Sequence, residues 1–297
     1  MPNFRPFGIL GVAFFALVMT GFSSASTARA ATAPVIGLFT DYGWDDPYVA
    51  QLKGVIVTIN PNARPLDLTH SVSPFNITDG SYLLDQCAEE FPAGTIFVAV
   101  VDPQVGMDRD PVLLETAKGK FFVGPDNGLF SQVIANEGFT KAWKLDKPEF
   151  FRAGGTSRTF HGRDIFGPVA AHLSTGTDPE RMGTPVKTLM LLPDKAPTLS
   201  GGLITTEVQH IDRYGNVILN LAGNSDLAAK LKEGDLVKIS IGKESYSAPL
   251  VKTYGDVEKG RLLLLYGGSG LLEIGMNQGS AARELKVEPG TTVYLKP

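Results

Sequence analysis

An aspartate at the end of an apolar run, an arginine seven residues later and a histidine in a distant polar turn are the side chains best placed for chemistry. Val98-Ala99-Val100-Val101 runs straight into Asp102, and Arg109 returns a fixed positive charge after Pro103 and Gly106. A short apolar run of this kind reads as a buried strand that ends on a working edge. Proline stops the strand and glycine permits a tight turn. Phe160-His161-Gly162-Arg163-Asp164 brings an imidazole ahead of a second apolar segment. If Asp102, Arg109 and His161 converge, they supply an acceptor, a fixed cation and a titratable ring, a set able to hold and activate one water. Taken alone, an Asp–Arg pair is as readily a surface ion pair worth ~0–1 kcal/mol. A lone histidine is more often structural than catalytic.

Other chemistries lack their signatures. There is no His-Glu-x-x-His, the acids are scattered, and Cys87 is the only cysteine, so no metal cluster is expected. No Gly-x-Ser-x-Gly elbow, phosphate loop or dinucleotide fingerprint is present. These absences point to direct chemistry on a small polar molecule, without metal or covalent intermediate. His70 follows a strand and suits a supporting role, His172 sits in a helical pattern, and His210 falls on a strand pattern. Cys87 lies in a helical stretch and reads as a buried thiol.

The elements that must position these residues follow from periodicity. Strands are predicted at 35–40, 64–68 and 95–101, with helices over 48–59 and 74–90, the second capped by Asn76 or Thr78. A hairpin is predicted over 112–123, a dense turn at Gly124-Pro125-Asp126-Asn127-Gly128, and helices near 129–136 and 165–173. Alternation of strands and helices predicts an N-terminal α/β domain, residues 34–192, with a mostly parallel sheet. Asp41 then ends the first strand, where open α/β sheets bind ligands. Residues 193–201 read as a linker, since Pro193-Asp194-Lys195-Ala196-Pro197 is polar and proline-rich. Beyond it, short alternating runs at 202–211, 217–221, 236–241, 244–250, 261–266 and 292–295 predict an all-β antiparallel C-terminal domain over 202–297.

The first thirty residues read as a leader rather than as fold. Arg5 precedes an apolar run of 16 residues from Phe7 to Phe22, and Ala28-Arg29-Ala30 is a small-x-small cleavage site. An uncleaved anchor is the alternative, but the run is shorter than the ~20 residues that span a bilayer. Export, to the periplasm, is therefore expected, with no stable membrane insertion after cleavage. The whole chain carries 27 positive and 31 negative side chains, a net charge of −4 with no basic block, which argues against a nucleic-acid partner. An exported chain with one cysteine must rely on its cores or on oligomerisation.

Two further stretches remain open between structure and chemistry. Asp212-Arg213-Tyr214-Gly215-Asn216 is a hairpin turn on its plain reading; on the other, Asp212 takes an amine and Asn216 pairs as donor and acceptor. Gly267-Gly268-Ser269-Gly270 is a flexible turn or a close backbone approach to a ligand.

Six motifs in order resemble one family. They are Phe39-Thr40-Asp41-Tyr42-Gly43, Asp102-Pro103-Gln104-Val105-Gly106, Gly124-Pro125-Asp126-Asn127-Gly128, Phe160-His161-Gly162-Arg163-Asp164, Asp212-Arg213-Tyr214-Gly215-Asn216 and Ser269-Gly270-Leu271-Leu272-Glu273. Together they are similar to the adenosine-forming S-adenosyl-L-methionine hydrolases, or SAM hydroxide adenosyltransferases, relatives of fluorinase and chlorinase. The resemblance implies a substrate, S-adenosyl-L-methionine, and no cofactor. It assigns Asp102, Arg109 and His161 to the attacking water, with either Asp102 or His161 as base. It places Asp41 on the ribose hydroxyls, Phe75 beside the substrate, Tyr254 on adenine, Asn216 at the adenine edge and Asp212 on the methionine ammonium. Ser269, Glu273 and the backbone near Met276 complete the implied pocket. It also implies a homotrimer with substrate between neighbouring subunits. Gln104 and Gly268 depart from the family's usual glycine and serine. Two rival readings are an exported nucleoside-binding protein without turnover and a SAM-dependent halogenase.

Overall fold

The computed structural model describes residue 1, residues 34–193 and residues 195–296. The expected leader lies outside the described residues. No helix among those described is long and apolar enough to cross a membrane.

Apolar strands buried on both faces form the centre of the first sheet. It is formed by β1 (Val35–Thr40), β2 (Arg64–Thr69), β3 (Ile96–Val100), β4 (Pro111–Thr116), β5 (Phe121–Pro125), β6 (Phe139–Leu145) and β7 (Gly183–Val186). Helices α1 (Tyr48–Ile59) and α2 (Ile77–Glu89) cross between the first three strands; α3 (Ser131–Glu137) and α4 (Gly167–Ser174) follow. The strand order is β2-β1-β3-β5-β4-β6-β7. Ile36, Leu38, Val98 and Val100 face α1 and α4, meeting Leu52, Ile56 and Val169. Phe39, Phe97, Ala99 and Val101 face the other way, toward Leu84 of α2 and Val133 of α3. Both faces are thus covered, which is why β1 and β3 read as nearly continuous apolar runs. The expectation of a mostly parallel sheet is corrected. The β2–β1, β1–β3 and β3–β5 pairings are parallel. The β5–β4, β4–β6 and β6–β7 pairings are antiparallel, so the sheet is mixed. The 112–123 hairpin was legible, but β6 carries Lys141 and Lys144 and β7 carries Pro185, which hid both strands.

The second sheet is antiparallel. β8 (Thr198–Ser200) pairs with β9 (Leu203–Ile211) beside the path of the sheet. β10 (Val217–Ala222), β11 (Leu236–Ile241), β12 (Glu244–Pro249), β13 (Leu262–Tyr266), β14 (Leu271–Met276) and β15 (Thr292–Lys296) complete it, with the short helix α5 (Ala281–Leu285). The order β12-β11-β15-β9-β10-β14-β13 is nearly closed, because Leu250 just after β12 bridges Leu264 on β13. Its interior is filled by Ile204, Leu219, Val237, Leu264, Ile274 and Leu295.

The path of the first sheet places a crevice. From β1 the chain crosses to β2 on one side, then returns past β1 to β3 on the other. α1 and α2 lie on opposite faces, so the carboxyl ends of β1 and β3 splay their connections apart. Open α/β sheets bind ligands at such a switch point.

Candidate active site

β1 and β3 run in parallel register with Thr40 opposite Val100. Asp41 directly follows Thr40 and Asp102 lies two residues past Val100, so both carboxylates reach the crevice at the ends of adjacent strands. A cavity of about 590 Å3 opens there, lined in part by Asp41, Tyr42, Phe75, Asp102, Phe160 and His161.

Arg109 sits behind this cavity and ties two of its residues together. Its Nε donates to Asp102 Oδ1 at 3.1 Å, and its Nη2 donates to Asp102 Oδ2. The same Nη2 donates to His161 Nδ1 at 2.8 Å. The Arg109 and Asp102 side chains are only 1% and 4% exposed, so this is a buried bidentate pair and not a solvated one. The guanidinium also lies 5.5 Å from the Phe166 ring centroid. Its third nitrogen, Nη1, is buried without a partner among the described residues.

The imidazole is tuned by the same neighbours. Burial, then the Arg109 charge, pushes the His161 pKa below the ordinary histidine value. Because Nδ1 accepts from Arg109, the proton of the neutral ring sits on Nε2. Burial raises the Asp41 carboxyl above the usual range; the Phe75 N–H opposes this, and the Asp102 charge adds to it.

Local structure explains why these side chains stay in place. Gly106 turns the Asp102–Arg109 loop with φ +74, and a Cβ there would lie 2.1 Å from the Arg158 carbonyl oxygen. The loop is thus packed directly on the one that carries His161. His161 precedes a π-helical turn, Gly162–Phe166. Within that turn the fully buried Asp164 accepts from Arg163 Nε and from the Ser157 N–H, both at 2.7 Å. Phe75, 72% exposed, is held at φ +65 with its N–H on Asp41 Oδ2 at 3.0 Å. Asn76 then caps α2 by accepting from Asp79 N.

The structure brings Asp41, Phe75, Asp102, Arg109 and His161 to one place. It does not bring Asp212, Asn216, Tyr254 or Glu273 there; these form a second cluster on the second sheet. Asn216 Nδ2 donates to Asp212 Oδ2 at 2.9 Å and to the Tyr254 hydroxyl at 3.3 Å. The Tyr254 hydroxyl donates to Glu273 Oε1 at 2.5 Å. Burial, then the bond to Glu273, raises the Tyr254 phenol well above its ordinary value. Burial, aided by the Asp212 charge, also raises Glu273. Ser269 reaches the Tyr82 side chain of α2. Met276 stands apart, in a separate cavity with Arg261 and Glu284. Gly268 has open space around it, and Gln104 is exposed.

Sequence reasoning missed the aromatic wall of the cavity. Tyr42, Tyr48 and Phe160 meet edge-to-face with centroids 5.4–5.9 Å apart. Their signal was adjacency, since Tyr42 follows Asp41 and Phe160 precedes His161. His210 is a strand residue that accepts a joining role: its Nδ1 lies 2.6 Å from Asp79 Oδ1, linking β9 to α2. Cys87, read as a buried thiol, is half-buried.

Arranged this way, the first cluster can hold a water between a carboxylate and an imidazole N–H, against a fixed cation, in a pocket with a second carboxylate and aromatic walls. That suits polar attack on a ligand with an aromatic part and a polar part.

Comparison with known proteins gives a consistent family. Residues 36–183 match the SAM hydroxide adenosyltransferase N-terminal domain, and residues 206–294 match the C-terminal domain of the same name. An (R)-S-adenosyl-L-methionine hydrolase from Thermus thermophilus is 35% identical over 274 residues, covering 86% of this chain and 97% of that protein. One of the same name from Salinispora tropica is 37% identical, covering 88% and 97%. A fluorinase from Nocardia brasiliensis is 26% identical, covering 89% and 97%. The crystal structure of an uncharacterized conserved protein from Thermotoga maritima superposes with a TM-score of 0.85 at 36% identity, covering 89% of this chain and all of that one.

Proposed function

The chain belongs to the SAM hydroxide adenosyltransferase family, and from that membership we propose the reaction carried out at its crevice. It hydrolyses S-adenosyl-L-methionine to adenosine and L-methionine. Water attacks the ribose C5′, the C5′–S bond breaks, and methionine leaves as a neutral thioether. The sulfonium takes up the electron pair of the broken bond, so departure needs no acid. What remains for the protein is to align a water, relieve it of a proton and keep bulk solvent away.

The observation that carries this reading is that Arg109 donates hydrogen bonds to both Asp102 and His161 Nδ1. It occupies His161 Nδ1 and leaves the ring as an Nε2–H donor. Asp102 is then the acceptor for the water's proton, with Arg109 stabilising hydroxide character as it develops. Asp41 takes the ribose hydroxyls, and the aromatic wall takes apolar surface of the nucleoside. Asp212 holds the methionine ammonium, Asn216 reads the adenine edge, Tyr254 packs on adenine, and Ser269 and Glu273 shape that end, with only the backbone near Met276 reaching it. The reaction needs no cofactor.

No residue of the second cluster lines the first cavity, which supports a site completed by a neighbouring copy, in a homotrimer. Exposed apolar side chains near each half, Trp44, Phe75 and Met107 on one and Tyr214 and Tyr254 on the other, favour the same arrangement. The names of the hydrolase relatives support the (R) sulfonium epimer as substrate. The leader-like start supports export to the periplasm with cleavage after Ala30, and mass analysis of the secreted chain's N-terminus tests it. Hydrolase relatives at 34–37% identity against fluorinases at 24–26% favour water over halide.

Asp102→Ala tests the assignment. Adenosine release from S-adenosyl-L-methionine, followed by chromatography, should fall to background while calorimetric adenosine binding stays within about threefold, since a group used only in the transition state leaves ground-state binding intact. An unimpaired rate removes Asp102 from the reaction. Tight adenosine binding by the wild-type chain with no cleavage would instead make it a binding protein.

A further inference from the structure

Behind the Asp41 loop lies a hydrogen-bond chain, partly exposed at Lys53 and Asp67 and buried at His70 and Thr40, that the reaction above does not use. Lys53 on α1 donates from Nζ to Asp67 Oδ2 at 2.6 Å. Asp67 Oδ1 lies 3.0 Å from His70 Nε2, and His70 Nδ1 lies 2.8 Å from Thr40 Oγ1. Thr40 Oγ1 in turn accepts the Tyr42 N–H at 3.1 Å. His70 and Thr40 are both fully buried.

With the His70 ring neutral, the polarity of each bond follows from the one before it. Asp67 is held below the usual carboxylate range by Lys53 and His70, against the opposing effect of burial. As a carboxylate it only accepts, so His70 carries its proton on Nε2. The bare Nδ1 then accepts the Thr40 hydroxyl proton. That leaves a Thr40 lone pair for the Tyr42 N–H, and every buried polar group in the chain is satisfied. The imidazole has further anchors. The His70 carbonyl accepts the Gly43 N–H at 2.8 Å, and the Trp44 ring packs edge-on with centroids 4.7 Å apart.

These bonds hold residues 40, 42 and 43 and so fix the backbone from which the Asp41 side chain projects. From the front, Phe75 N–H holds Asp41 Oδ2, and the rest of the carboxylate faces the cavity. None of Asp67, His70 and Thr40 lines that cavity.

We propose that Asp67, His70 and Thr40 are positioning residues that aim the Asp41 carboxylate at the ribose diol, and so set the preference for a ribonucleoside over a deoxygenated one. The inference rests on the reading of Asp41 as the ribose contact, and the test separates the two. Calorimetry on the full-length chain compares adenosine with 2′,3′-dideoxyadenosine, which lacks the diol. In the wild type, adenosine should bind more tightly. Thr40→Val, which keeps shape but removes the hydroxyl, should cut that preference by about tenfold, the scale of a hydrogen bond to a charged group. Dideoxyadenosine affinity should change by less than about twofold on the same grounds. Thr40→Ser should restore the preference, and His70→Phe should reproduce the Thr40→Val loss. A merely structural role would weaken both nucleosides equally, and that result overturns the proposal. Asp41→Ala is the control. If it abolishes the preference while Thr40→Val does not, the relay is wrong and the ribose contact stands. If Asp41→Ala leaves the preference intact, both fall.

Discussion

Arg109 donates from Nη2 to His161 Nδ1 at 2.8 Å, and that one bond fixes which nitrogen of the imidazole bears the proton. The ring therefore faces the cavity as a donor while it is neutral. Protonation at Nδ1 would set an N–H against a guanidinium that cannot accept.

A pH profile follows. Burial and Arg109 lower the His161 pKa, so the neutral ring persists below the ordinary value of 6.5. Protonation sets in only as pH falls through the lowered value. The acid limb of kcat/KM should thus lie below pH 6.5, and the rate should be flat through neutrality. Initial rates between pH 4.5 and 8 check this, and an acid limb above 6.5 contradicts the tautomer argued from Arg109.

Arg109→Lys should not substitute. An ammonium cannot offer two parallel donors to Asp102 and a third bond to His161 from one rigid fork. kcat should fall by about a hundredfold or more, as for loss of a preorganised charge contact. KM and adenosine affinity should move little, which steady-state kinetics and calorimetry would separate.

Gly106→Ala should damage both stability and rate. The residue has φ +74, and an added Cβ would meet the Arg158 carbonyl at 2.1 Å, so the Asp102 loop must move off the His161 loop. A loss of about 1–3 kcal/mol is expected for strain of this kind. Thermal unfolding gives the first number and kcat the second, and a wild-type melting curve with full activity would contradict the packing described.

Mixing two inactive variants tests the shared site. Asp102→Ala lacks the water contact and Asp212→Ala lacks the ammonium contact. Co-refolded in equal amounts as a cyclic oligomer, they should recover about a quarter of the sites, because each site draws one half from each of two neighbours. No recovery would place the whole site within one chain.

Much of the crevice was legible because its logic is local. Asp41 and Asp102 each end an apolar run, and adjacent parallel strands deliver such ends to one edge. β6 and β7 were not legible, since Lys141, Lys144 and Pro185 break the apolar pattern that marks a strand. Nor was the absence of Asp212 and Asn216 from the lining of the cavity that holds Asp102. Sequence order carries no distance between two sheets, and the 212–216 turn reads the same whether it faces its own crevice or a neighbour's. The left-handed Phe75 was also hidden, because Asp41 Oδ2 imposes that backbone from 34 residues away in the chain.

The most direct measurement is a turnover of S-adenosyl-L-methionine in water labelled with oxygen-18, with mass analysis of both products. One labelled oxygen is expected at the adenosine 5′ position, with unlabelled methionine and no label incorporation with Asp102→Ala. Labelled product with an intact rate in Asp102→Ala, or label in the amino-acid product, would contradict the mechanism.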